Sequence, residues 1–162
     1  MTVSHIPEGY HSVTPYLIVD GAADAIRFYE AAFGASEELR MPMGDSGKLA
    51  HAEIKIGDSH VMLSDQWPDM NLLGPKARGG ATASLMIYLE DVDAAFQRAI
   101  DAGAAEERPP ADQFWGDRMA TVVDPFGHRW TLATHVEDVS PEDMQRRMAE
   151  FAAQQQAQPQ PA

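Results

Sequence analysis

No cysteine occurs in the chain, which excludes disulfides, thiolate nucleophiles and cysteine metal ligands. No apolar run approaches the roughly 20 residues that a membrane span needs. The opening MTVSHIPEGY lacks the basic segment and apolar stretch of a secretory leader. These absences set the expectation of a cytoplasmic protein with no membrane partner. Basic residues are scarce: 12 Lys and Arg stand against 25 Asp and Glu, a formal net charge of −13. Such a charge repels phosphate backbones and argues against nucleic acid as a partner. The acids are scattered rather than blocked, as on an ordinary solvated surface.

The 162 residues, 44% of them hydrophobic, suit one globular domain with a real core. TPYLIVD (14–20) reads as a strand, and GAADAIRFYEAAFGA (21–35) as a helix with Ile26, Tyr29 and Phe33 on one face and Gly34 as its stop. HAEIKIGDSHVMLSD (51–65) reads as a hairpin turning at Gly57-Asp58. A Pro- and Gly-rich loop follows, and then the plan repeats. SLMIYLED (84–91) is a strand, VDAAFQRAIDAGA (92–104) a helix, and RMATVVDPFGHRWTLAT (118–134) a hairpin turning at Asp124-Pro125-Phe126-Gly127. The offset between copies is about 70 residues, and it is a repeat of pattern rather than of identity. SPEDMQRRMAEF (140–151) carries a capping box from Ser140 to Asp143 and an apolar stripe of Met144, Met148 and Phe151. That stripe either docks on its own domain or forms a subunit interface. The division expected is an arm over 1–10, a single domain over 11–139 with modules at about 11–65 and 82–136, the helix 140–151 and a disordered tail 152–162.

Alternation along strands sorts the side chains into two faces. Leu17, Val19, Ala52, Ile54, Ile56, Leu85, Ile87, Leu89, Trp130 and Leu132 face the helices. The opposite face gathers Thr14, Tyr16, His51, Glu53, His60, Met62, Ser64, Ser84, Met86, Tyr88, Arg129 and Thr131. Across the first turn, Lys55 should meet His60, Glu53 should meet Met62 and His51 should meet Ser64. This mixed polar and aromatic set suits a small-molecule cavity. His128 and His135 are seven positions apart, so along an unbroken strand they point to opposite faces about 23 Å apart and cannot share an ion.

The segments PYLIVDGAADAIRFYEAAFGA, HAEIKIGDSHVMLSD and TVVDPFGHRWTLATHVEDVSPEDMQRR resemble the vicinal oxygen chelate superfamily. That group holds glyoxalase I, extradiol dioxygenases, fosfomycin-resistance enzymes and bleomycin-binding proteins. The likeness is greatest to its PhnB-like branch, over about residues 11 to 147. It implies an α+β fold: two paired βαβββ modules forming a curled eight-stranded mixed sheet around a cavity, the glyoxalase/bleomycin resistance fold, followed here by the C-terminal helix. A homodimer is also implied. Enzymes of the superfamily take one metal ligand from each of four strands. By position these fall on Thr14, Glu53, Ser84 and Thr131, of which only Glu53 is a good ligand.

The resemblance and the residues together give the expected function: binding of a small organic molecule in a metal-free cavity, as in ligand sequestration or resistance. No metal or other cofactor is expected. The ligand-binding candidates are Tyr16, His51, Glu53, His60, Met62, Met86, Tyr88, Trp67, Trp115, Arg129 and Thr131. Lys48, Lys55 and Arg129 favour an anionic ligand and the net charge a cationic one. QFWGDR (113–118) either closes over the cavity mouth or packs locally or in a dimer. The alternative is a glyoxalase-type lyase, isomerase or dioxygenase. It would use a divalent metal relocated to His51, Glu53 and His60, or Glu53 as catalytic base with its pKa raised by Met62 and Met86. Against that, His51 and Glu53 can simply bond each other, or Lys55 or Arg129 can hold Glu53 ionised. A weaker third reading is a regulatory or assembly role for the C-terminal helix.

Overall fold

Each module builds its sheet from a strand, a helix and three further strands, as the computed structural model of residues 3–157 describes it. The first contains β1 (Tyr16–Val19), α1 (Ala22–Phe33), β2 (Ser36–Pro42), β3 (Leu49–Ile56) and β4 (Ser59–Asp65). A one-turn helix, α2 (Pro75–Arg78), lies in the connecting loop. The second contains β5 (Ser84–Tyr88), α3 (Val92–Asp101), β6 (Ala105–Asp112), β7 (Asp117–Val123) and β8 (Arg129–His135). The strand orders are β1-β4-β3-β2 and β5-β8-β7-β6. The β1–β4 and β5–β8 pairs are parallel and the others antiparallel. This is the expected pair of βαβββ modules. The backbone ladders form two four-stranded sheets rather than one continuous eight-stranded sheet. β1 and β5 are the inner edges. The His128 side chain spans from the second module to the first, its Nε2 lying 3.1 Å from the Ile18 carbonyl oxygen.

The local signals have clear structural causes. Gly34 takes a left-handed conformation at φ 68°, and its N–H bonds back to the α1 carbonyls, the stop that a side chain would resist. Asp91 caps α3 by accepting from the Ala94 N–H at 3.0 Å. The first hairpin has the expected register, with Glu53 opposite Met62 and Lys55 opposite His60. β2 and β6 are fringe strands, largely exposed. Pro109 and Pro110 are tolerated in β6 because they fall on an outer edge where the pairing with β7 is broken between Arg108 and Ala111, so neither supplies a donor to a regular ladder.

The C-terminal helix, α4, runs Pro141–Ala157. The expected end at Phe151 is too short: glutamine and alanine are good helix formers, and they carry the helix on. Residues 158–162 of the expected tail lie outside the described residues. The capping box forms, with the Asp143 N–H donating to Ser140 Oγ at 3.1 Å. The helix is tied to its own domain through Arg147, paired with Glu137 at 2.6 Å, and through Phe151 against Phe114 at 5.2 Å. Met148 and Phe151 remain 52% and 45% exposed. Among the described residues, no helix is long and apolar enough to cross a membrane.

The core lies on the helix side of both sheets. Leu17, Val19, Ala52, Ile54, Ile56, Trp130 and Leu132 are buried there as the alternation predicts, and Leu85, Ile87 and Leu89 pack at its margin. α1 packs on α3. Tyr29 and Phe33 of α1 reach Trp130 of the second module, with ring centroids 5.3 and 4.9 Å away. At the centre, Asp124 Oδ2 accepts the Tyr29 hydroxyl at 2.7 Å and the Trp130 indole N–H at 2.9 Å. Its Oδ1 accepts the amides of Phe126 and His128. Burial, and next the Asp124 charge, push the Tyr29 hydroxyl well above its ordinary pKa, so it remains a donor. Replacing Tyr29 by Phe removes that donor from a buried carboxylate. Urea unfolding should show a loss of about 1–3 kcal/mol with an unchanged denaturant slope.

Candidate functional site

The helix-free face of the first module is built in rows. Strand pairing sets Tyr16, Met62, Glu53 and Leu39 side by side across β1, β4, β3 and β2. His51 stands beside Met41 on the same face. A hydrogen-bond chain runs across the first row: Tyr16 Oη to His51 Nδ1 at 3.0 Å, His51 Nε2 to Glu53 Oε1 at 3.0 Å, then Glu53 Oε2 to the Tyr10 hydroxyl. The Tyr10 bond, followed by that from His51, holds the Glu53 carboxyl below its ordinary range against the opposing effect of desolvation. An ionised Glu53 only accepts, so His51 donates to it from Nε2. The bond to Glu53 pushes the Tyr10 hydroxyl up to about 12.

Two expectations for Glu53 are therefore corrected. It is not a carboxyl raised by methionine neighbours, because two donors outweigh burial. Nor do Lys55 or Arg129 hold it ionised; Tyr10 and His51 do. The relocated metal trio is also not assembled. His60 spends Nδ1 on the Gly9 carbonyl at 2.9 Å, and its ring lies under that of Tyr10 at 4.1 Å. Of the positions carried over from the superfamily, Thr14 donates to the His11 carbonyl at 3.3 Å, and Ser84 and Thr131 meet each other at 3.4 Å. Among the described residues, no group of three or more His, Asp or Glu side chains is placed to hold a metal. Neutral hydroxyls and a fully bonded carboxylate do not fit such an ion.

The ligand-binding candidates are divided among separate spaces. Tyr16 and Trp67 line an apolar pocket of about 390 Å³ with Met43, Met70 and Leu72. Lys48 Nζ stands 5.0 Å from the Trp67 ring centre. Glu53 and Met62 border a cavity of about 440 Å³ beside Tyr10. His60, Met86 and Tyr88 line one of about 640 Å³ between the first hairpin and β5. Arg129 lies elsewhere, gripped by Glu107 at 2.6–2.9 Å. Trp115 belongs to a local cluster. It packs edge-on against Phe114, 4.9 Å between centroids, and donates to Asp117 at 3.2 Å. The QFWGDR loop is thus docked on α4 through Phe114 and Phe151. His135 bonds Asp117 at 2.8 Å and Asp138 at 3.0 Å, far in the fold from the Ile18 partner of His128.

The residue that sequence reasoning missed is Tyr10. It belongs to an arm given no role, yet its ring and hydroxyl reach the middle of the sheet face. The one available signal was an aromatic at the end of the arm, directly after the turn-forming run Pro7-Glu8-Gly9.

A family model described as the glyoxalase/bleomycin resistance protein/dioxygenase superfamily matches residues 9–132. An uncharacterised protein of Mycobacterium bovis is 43% identical over 141 residues, covering 85% of this chain and 92% of the relative. Among solved structures, TioX from Micromonospora sp. ML1 gives a TM-score of 0.60 at 25% identity, over 80% of this chain and 100% of that one. A PhnB protein from Bacillus cereus gives 0.61 at 19% identity, over 76% and 99%, a likeness of fold. The resemblance carried by the three sequence segments is borne out.

Glu53 contributes stability above the ordinary carboxylate range, and this is lost as pH falls through its lowered folded value. Removing the larger of its two donors, in Tyr10→Phe, should move the Glu53 carboxyl ¹³C titration midpoint upward. An unchanged midpoint would mean that Tyr10 does not set the charge of Glu53.

Proposed function

As the chain belongs to the glyoxalase/bleomycin resistance protein/dioxygenase superfamily, we propose that it binds a small organic molecule on the helix-free face of its first module, without a metal ion, and sequesters it rather than transforming it. The observation that carries this reading is the pocket at Tyr16 and Trp67. Its wall is apolar, and beside it a single anchored polar chain, Tyr16–His51–Glu53, supplies direction. Apolar walls with a few fixed polar groups are what ligand sites are made of. Methionines at 43 and 70 add a wall that adapts to ligand shape. The same chain speaks against catalysis by Glu53. A carboxylate with lowered pKa and both oxygens bonded is a weak base, and its protons come from tyrosine and histidine rather than from a substrate.

A fragment screen by NMR, on protein purified without chelator, tests this. Binders should saturate the Trp67 indole signal and be recovered unchanged, and the protein should carry less than stoichiometric metal. Trp67→Ala should weaken them about tenfold, about 1.4 kcal/mol. Stoichiometric metal that disappears in His51→Ala, or a screen without a single hit at Trp67, overturns the reading.

A further inference from the structure

The N-terminal arm places one of its own rings on the sheet. Tyr10 lies nearly parallel to the His60 imidazole, with centroids 4.1 Å apart and planes 13° from parallel. Its O–H donates to Glu53 Oε2. The other Glu53 oxygen is held by His51 at 3.0 Å, so the carboxylate keeps its aim whether or not Tyr10 is there. Met62 stands beside Glu53 in the strand register. A flat imidazole and a carboxylate with one oxygen turned to the arm are thus both engaged by a single phenol, with an apolar side chain lining the same cavity.

Among the described residues, the arm is held at few points. Gly9 contributes its carbonyl to His60 Nδ1 at 2.9 Å, and its φ of 82° permits the close approach: a Cβ there would stand 3.1 Å from His60 Cε1. Elsewhere the arm bonds mainly to itself, as in Tyr10 N–H to the Pro7 carbonyl at 3.1 Å and Ile6 N–H to Ser4 Oγ at 3.2 Å. Val3 and Val13, on either side, are 96% and 83% exposed. Beneath the arm lies the cavity of about 440 Å³ that Tyr10, Glu53, Met62 and Thr14 border.

We propose that Glu53 and His60 form a subsite for a phenol, a flat ring carrying one O–H donor, which Tyr10 fills in the free protein and which a phenolic ligand takes when the arm moves aside. This rests on the helix-free face being a small-molecule surface, and it adds the chemistry that the surface selects. The ring is recognised by stacking on imidazole. The hydroxyl is recognised because an ionised acceptor left without a donor in a partly buried place is costly.

The test uses the full-length chain with Tyr10→Ala, and p-cresol and toluene as probes. p-Cresol should bind the variant saturably, shift the His60 and Glu53 signals, and bind at least about tenfold more tightly than to the unaltered protein. Toluene should bind at least about tenfold more weakly than p-cresol. Equal binding of the two probes would reveal only an apolar hole and overturn the proposal, as would equal p-cresol binding to both proteins. Should Tyr10→Ala not fold, the unaltered protein gives the answer: saturating p-cresol should expose the arm to protease cleavage between residues 3 and 12, whereas toluene should not. An arm left equally protected by both overturns the proposal. Fragment binding at Trp67, read in the same samples, separates the two readings. If it persists while p-cresol fails, the phenol subsite alone is wrong.

Discussion

The Asp124 carboxylate is the constraint on which the rest of the molecule depends. It accepts from α1 through Tyr29, from β8 through Trp130, and from its own turn through the amides of Phe126 and His128. Any rotation of one module against the other would separate at least one donor from a buried ionisable acceptor, at about 1–3 kcal/mol for each bond lost. The modules are therefore fixed from beneath, through the core on the helix side. This explains how the inner edges β1 and β5 can lie without a shared ladder while the fold keeps one shape. A second carboxylate, Asp65, serves the first module alike: it accepts the Gly21 and Ala22 amides at the start of α1 and the Leu49 amide at the start of β3. With structure secured on one side of the sheets, the other side is released from packing duty.

That division also decides what could be read from the sequence. Strands with one buried face print a period of two, so β1, β3, β4 and β5 were legible, along with the register of the first hairpin; β7 and β8, with consecutive buried residues, were legible from the turn Asp124-Pro125-Phe126-Gly127 between them. α1 and α3 were legible from period and caps. β2 and β6 were not, because a fringe strand with both faces exposed has no alternation to show; they entered only as implications of the family resemblance. Asp124 was legible as a turn former but not as a tie, since its partner Tyr29 lies 95 positions away and carries no local mark. Tyr10 is the same problem at the site: a contact spanning 43 positions, made by an arm of no regular structure. Which candidates share a face was readable; whether something of the chain's own covers that face was not.

The charge question that composition left open has a local answer. Arg27, Arg40, Arg118, Arg129, Arg146 and Arg147 each face a carboxylate within the chain. Exposed pairs of this kind add little stability, but they spend the guanidinium groups on the protein itself. What remains at the centre of the helix-free face is the Glu53 carboxylate, an acceptor held below its ordinary range. A ligand there must bring donors. Net charge and local chemistry thus agree in direction, although the bond geometry around Glu53, and not the total of −13, is what enforces it.

The arm sets a threshold for any such ligand. A ring tethered a few residues from the sheet competes at an effective concentration on the order of millimolar. A free phenol making only the contacts of Tyr10 must exceed that to displace it. A ligand of higher affinity has to reach beyond the subsite, and the strand register says where. From Glu53 on β3, one step to Met62 on β4 and a second to Tyr16 on β1 cover about 10 Å at the usual strand spacing. At the end of that path lies the apolar pocket of Trp67, Met43 and Met70, reached alongside the His51 bridge that joins Glu53 to Tyr16. A molecule with a phenol at one end and an apolar body about 10 Å long would satisfy both places together. The second contact is one that Tyr10, held by its backbone at Gly9, cannot make.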